Sequence, residues 1–191
     1  MPTLRGMLLD RTQAGVAPSR GARRAIGVGI FAVATALAAH VSVPVPGTVV
    51  PFTFQPLVVL LAGALLGARF GAASQILYLA AGVAGMPVFV AGGGAAYLLG
   101  PTGGYLIAYP LAAFVVGALM GRGALRALGA LLAGLAVIYA GGLSWLAVLG
   151  GDAGAVALGL SPFLVADLVK VFLAVLVVDR LRTRSLDLFI R

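Results

Sequence analysis

The sequence predicts an all-α integral membrane protein of six transmembrane helices, with both termini in the cytoplasm. Three observations carry that prediction. First, 62% of the 191 residues are hydrophobic and only 9% are charged, against about 45–50% apolar and about 25% charged in a soluble domain. So little polar surface cannot cover the chain in water, and the bilayer must be its solvent. Second, the apolar residues fall into runs near the roughly 20 residues that a helix needs to cross the hydrocarbon. Third, every arginine lies before residue 25, at Arg69, at Arg122 and Arg126, or after residue 179. Basic residues collect in short cytoplasmic loops, so the arginine-free segments 40–55, 86–104 and 150–161 are the expected outside loops.

The elements follow in order. Residues 1–24, polar and basic, read as a cytoplasmic tail. Span one covers 25–43 and stops at Pro44-Val45-Pro46-Gly47, where proline and glycine forbid helix continuation. Arg23-Arg24 ahead of this run, with Ala36-Leu37-Ala38 inside it, also resembles a secretory signal. The apolar run is longer than the usual signal core of about 7–15 residues, so the first helix is expected to be retained. The next apolar run begins at Pro56, a good first-turn residue, and reaches Gly67; another runs from Gly71 to Gly85. Read as one helix, these would put Arg69 near the bilayer centre, at a cost of about 2.5–3.5 kcal/mol. Two short helices joined by a tight inside turn avoid that. Spans four, five and six are expected at 104–121, 125–149 and 162–180, within a membrane domain over 25–182, followed by a cytoplasmic tail at 183–191. An even number of spans keeps both arginine-rich ends on one side.

Composition also excludes chemistry. The chain has no cysteine and no glutamate, and His40 is its single histidine. A disulfide framework, a thiol catalyst and a two-histidine metal site are therefore ruled out. The net charge of +8 does not point to nucleic acid, because the arginines flank apolar spans instead of forming a stripe with interleaved aromatics. They read as topology anchors touching anionic lipid. A P-loop requires Gly-Lys-Ser/Thr, whereas the sole lysine, Lys170, follows Val169. Energy for any transport must come from a partner, or from none.

Three clusters could carry function. Asp167 and Lys170 stand inside span six, three residues apart, hence on one helix face. Ionisable groups at that depth usually face a bundle interior or a wet cavity. They form either the polar end of a pocket that opens outward or a self-neutralising pair that only packs the bundle. The loop at 44–55 holds three prolines, Phe52 and Phe54 as apolar cover, and Thr53 and Gln55 as hydrogen-bonding groups. An apolar loop facing water suggests a lid over something buried; it could also be an ordinary connection. The third cluster, Pro87 to Tyr105, is glycine-rich. It can arrange backbone N–H groups into an anion-binding concavity or serve packing alone.

PFTFQ, GMPVF, GGG and LLGPTGGY stand in that order between residues 51 and 105. With Asp167 and Lys170 in span six, they resemble the biotin-specific substrate-binding (S) component of energy-coupling factor transporters, the BioY family. The resemblance implies a six-helix protein of the inner cell membrane that binds biotin from outside. It also implies a transmembrane coupling (T) protein and two ABC-type ATPases as partners, no cofactor and no enzymatic activity. On that reading Asp167 can accept from a ureido N–H and Lys170 can donate to a carbonyl or carboxylate, so the pair serves one end of the ligand, with either end open. Loop N–H groups near Gly92 and Gly93 serve the other end. Phe52, Thr53 and Gln55 close the lid, and Tyr78, Phe89 and Tyr97 are further walls. Small residues at spacing of four allow close helix approach in a bilayer. Ala32 and Ala36 (or Ala34 and Ala38) have that spacing in span one, and the resemblance makes them the expected docking surface for the T protein. The alternatives are an S component for thiamine or riboflavin, or an integral membrane enzyme acting on a lipid.

Overall fold

The computed structural model describes residues 19–150 and 159–185. Residues 1–18 of the expected tail at 1–24, residues 186–191 of the expected tail at 183–191, and the centre of the 150–161 loop lie outside them. Among the described residues there are six α-helices: α1 (Arg20–His40), α2 (Gln55–Leu66), α3 (Ala68–Val83), α4 (Gly103–Leu119), α5 (Ala124–Val148) and α6 (Ser161–Ser185). Ser19 caps α1, its hydroxyl accepting from the Ala22 N–H at 3.2 Å.

Helix α1 ends at His40, three residues earlier than expected, because Ser42–Val43 (β1) turn extended and pair antiparallel with Phe52–Thr53 (β2). Pro44 helps, since the residue before a proline is pushed out of the helical region. The 44–55 connection is therefore a small hairpin, with Ser42 opposite Thr53 and Val43 opposite Phe52.

The expected break between spans two and three narrows to a single residue, Gly67, at φ 79°, a conformation that disfavours any side chain. Arg69 falls in the first turn of α3 and is exposed, as the split reading requires. A short 3-10 helix (Ala95–Leu99) leads into α4.

Helix α2 is the centre of the bundle. It packs against α1, α3, α4, α5 and α6, and its Val59, Leu60 and Ala62 are fully buried. The outer faces are apolar: Ile30, Val33 and Leu37 on α1, Leu125 on α5, and Val165 and Phe172 on α6 are all exposed. Patches of that kind are rare on soluble monomers and suit a lipid boundary.

By length and composition three helices can cross a membrane: α1, α5 and Ser161–Arg182 of α6. Helix α2, with 12 residues, rises only about 18 Å at ~1.5 Å per residue. Among the described residues, arginines from different helices tie down one end of the bundle. The Arg24 guanidinium lies 5.2 Å from the Phe70 ring centroid, joining the starts of α1 and α3. Arg182 near the end of α6 donates to the carbonyls of Gly121 and Met120, closing the C-terminus of α4.

Candidate binding site

At the opposite end the hairpin folds over a cavity of about 590 Å³, a figure that includes its mouth. Pockets for small ligands are mostly apolar with a few convergent polar groups. The charged groups here are Asp167 and Lys170, one turn apart on α6, 5% and 3% exposed. The Lys170 ammonium donates to Asp167 Oδ1 at 2.6 Å and to the Thr53 carbonyl at 2.6 Å. It also lies 3.8 Å from the Phe52 ring centroid, close enough for a cation–π contact. Tyr139, from α5, donates to Asp167 Oδ2 at 2.5 Å. The partners come from three elements, so the pair joins α5, α6 and β2 at one point.

Gln55 organises the neighbouring wall. Its backbone N–H donates to Thr53 Oγ1 at 3.3 Å, and its amide donates to the Tyr78 hydroxyl at 2.8 Å. Tyr78 in turn donates to the Val88 carbonyl at 3.2 Å. Tyr105 donates to the Gly159 carbonyl at 2.9 Å and meets Tyr139 edge-on, holding the start of α6 against α4.

The expected site residues divide into two groups. Phe52, Thr53, Gln55, Tyr97, Asp167 and Lys170 line the cavity together. Tyr78, Phe89, Gly92 and Gly93 do not. Tyr78 stands behind Gln55. Phe89 is fully buried between Tyr78, edge-on at 5.6 Å, and Tyr97, stacked at 4.9 Å. Gly92 exchanges backbone hydrogen bonds with Phe89, and the Gly94 N–H donates to the Gly82 carbonyl. Those N–H groups are engaged within the chain, so the glycine loop here braces the Phe89 ring. Gly93 packs on the Met86 carbonyl so closely that a Cβ would overlap it.

The alanines expected to dock the coupling protein sit on the inner side of α1. Ala32 is 7% exposed and lies in the core, with Ala36 packed against the same cluster. Thr35 fixes that rotation: its hydroxyl reaches the buried Gln75 of α3 at 3.2 Å. The alanine ridge therefore faces the chain's own core.

Tyr105, Tyr109, Tyr139 and Phe163 line the cavity without having been singled out as walls. Tyrosines inside apolar spans carried the signal, because a buried phenol needs a hydrogen-bond partner.

The chain is similar to proteins named as biotin transporters. The probable biotin transporter BioY of Pyrococcus horikoshii is 44% identical over 156 residues, covering 81% of this chain and 93% of that protein. The biotin transporter BioY of Thermotoga maritima is 38% identical over 169 residues, 86% of this chain and 99% of that protein. In structure the chain resembles the crystal structure at 2.1 Å of the S-component for biotin from an ECF-type ABC transporter. That likeness has a TM-score of 0.79 and 25% identity, with 88% of this chain and 95% of that chain covered. The profile of the BioY family matches residues 10–186, and the chain belongs to that family.

Proposed function

We propose that this membrane protein captures biotin from the outside and delivers it as the S component of an ECF-type ABC transporter. The observation that carries the reading is the cavity under the hairpin, with its buried acceptor–donor pair of Asp167 and Lys170 and otherwise apolar, hydroxyl and amide (Gln55) walls. Biotin offers a ureido group with two N–H donors and a carbonyl, an apolar bicycle and chain, and a carboxylate. Membership of the BioY family supports the choice of biotin over thiamine or riboflavin.

On this reading all six helices cross the bilayer, the short ones tilted or shielded by neighbours, with both termini inside. A separate transmembrane coupling protein and ABC-type ATPases supply the energy, since the chain carries no P-loop. Helix α1, packed mainly on α2 and α3, is the candidate coupling surface, with Ala32 and Ala36 and the outward Ile30, Val33 and Leu37 as the residues to test.

Titrating the detergent-purified protein with tritiated biotin tests the reading. Saturable binding at micromolar concentration or below is expected, displaced by unlabelled biotin and not by thiamine or riboflavin. Displacement by either of those vitamins instead would reassign the substrate.

A further inference from the structure

Two arginines converge on the turn between α4 and α5, at the basic end of the bundle. Arg182 of α6 donates to the carbonyls of Gly121 and Met120. Arg126, in the first turn of α5, folds back over the same glycine: a Cβ added to Gly121 would meet its Nη1 at 3.0 Å and its Nε at 3.2 Å. Arg122 stands in the turn itself and is exposed.

No carboxylate of a described residue neutralises this cluster. Those carboxylates are Asp167, paired with Lys170, and Asp179, which is exposed and forms no ion pair. Arg182 Nε is buried and has no hydrogen-bond partner, and it is the one such side-chain atom among the described residues. A buried donor left unsatisfied is costly, and an unpaired charge near it more so. A guanidinium has five N–H groups in a fixed fork, and Arg182 spends only part of its fork on the two carbonyls. An anion touching both arginines would answer the spare donors and the like charges together, and Arg forks suit the two oxygens of a phosphate.

The surroundings say where that anion comes from. Leu119, Leu125 and Leu181 are 55%, 86% and 46% exposed, each next in sequence to Met120, Arg126 or Arg182. Bare leucines beside arginines match the boundary between headgroups and acyl chains. We propose that Arg126 and Arg182, with Arg122 at the rim, form a specific site for one anionic phospholipid, its phosphodiester between the two guanidinium groups and its acyl chains along the leucines. The site is more than the diffuse attraction of basic residues to an anionic leaflet, because it is built on one turn and holds one headgroup.

Native mass spectrometry of the detergent-purified protein tests this, by titration with palmitoyl-oleoyl phosphatidylglycerol or with phosphatidylcholine of the same acyl chains. The first phosphatidylglycerol is expected to bind at least about tenfold more tightly than phosphatidylcholine, roughly 1.4 kcal/mol, and later copies without preference. Arg126→Gln removes a guanidinium that donates to no carbonyl of the chain, and it should erase that preference while tritiated-biotin binding is unchanged. Arg182→Gln should erase it too and, by freeing the carbonyls of Met120 and Gly121, lower the thermal midpoint; if that variant cannot be purified, Arg126→Gln decides alone. Arg20→Gln, an exposed arginine at the start of α1, should leave the preference intact. Equal affinity for the two lipids in the unaltered protein overturns the proposal, and so does an equal loss from Arg20→Gln, which marks a diffuse basic field. Full displacement of the lipid by inorganic phosphate would reassign the site to the free ion. Loss of co-purifying coupling protein and ATPases in Arg126→Gln, with no lipid preference to begin with, would hand the arginines to a protein carboxylate instead. Each outcome is read without reference to biotin, so the proposal and the transport reading fail separately.

Discussion

Lys170 holds three partners at once: Asp167, the Thr53 carbonyl and the Phe52 ring. Removing one member of a buried pair strands the other and costs about 3–5 kcal/mol, while replacing both by apolar groups of similar volume is often neutral or stabilising. This contrast separates a binding role from a packing role. Asp167→Asn and Lys170→Ala should each lower biotin affinity by roughly a hundredfold or more, about 3 kcal/mol. Both should also lower the thermal midpoint of the purified protein. The double variant Asp167→Leu/Lys170→Met should recover the midpoint and still fail to bind. If the double variant binds tritiated biotin normally, the pair only packs the bundle and the site lies elsewhere. Tyr139→Phe belongs to the same test. It removes the 2.5 Å bond that holds Asp167 Oδ2, and a smaller affinity loss, about tenfold, is expected for a net hydrogen bond to a charged group of ~1.5 kcal/mol. A Tyr139→Phe protein with undiminished affinity would leave Asp167 positioned by Lys170 alone.

Among the elements, the lid has an anchored end and a free end. Its β2 strand is tied to α6 through Lys170 and to β1 by pairing. The turn around Pro46–Thr48 has one local backbone bond, Thr48 N–H to the Val45 carbonyl at 3.3 Å. Opening is therefore expected to bend the outer turn while β2 stays in place. A nitroxide label at Thr48→Cys should lose mobility when biotin is added, and one at Val43→Cys should change little; identical spectra at Thr48 with and without biotin would reject the lid. The distinction was only partly legible in the sequence. Proline and glycine spacing marked the helix ends, and the cost of burying Arg69 separated α2 from α3. A two-residue hairpin has no periodicity to read, so β1 and β2 stayed hidden until Thr53 and Lys170 met across 117 residues. Asp167 and Lys170 were legible because charge inside an apolar span is expensive. Tyr139 was not, because nothing local ties it to a carboxylate 28 residues away. Gly92 and Gly93 carried less signal for a related reason: glycine allows a close backbone approach without saying which backbone or ligand approaches. The inward rotation of Ala32 is set by Thr35 and Gln75, 40 residues apart, a pairing beyond any window of one helix.

For the whole molecule, the open question is which way the bundle sits and how many helices cross. Three helices are long enough by themselves. The shorter α2, α3 and α4 are nonetheless packed into the same bundle, with α2 at its centre. A buried short helix can span with help from its neighbours, because mismatch is relieved by tilt and local thinning at modest cost. Charge supplies the direction. Arg24 meets Phe70 and Arg182 meets Gly121 at one end, while the lid, the cavity and the glycine loop lie at the other. The positive end is expected in the cytoplasm, which turns the lid outward. The natural absence of cysteine makes this directly measurable, since any cysteine introduced is the sole reactive thiol. In intact cells a membrane-impermeant maleimide should label Val49→Cys and Leu99→Cys, at exposed positions of the two outer loops. It should leave Arg69→Cys and Arg122→Cys unmodified until the membrane is opened. Arg69 at the α2–α3 junction is the decisive position for the count: if α2 and α3 did not cross as a pair, Arg69→Cys would label from outside, together with the lid. Such labelling would reverse the six-span assignment even if biotin binding were normal.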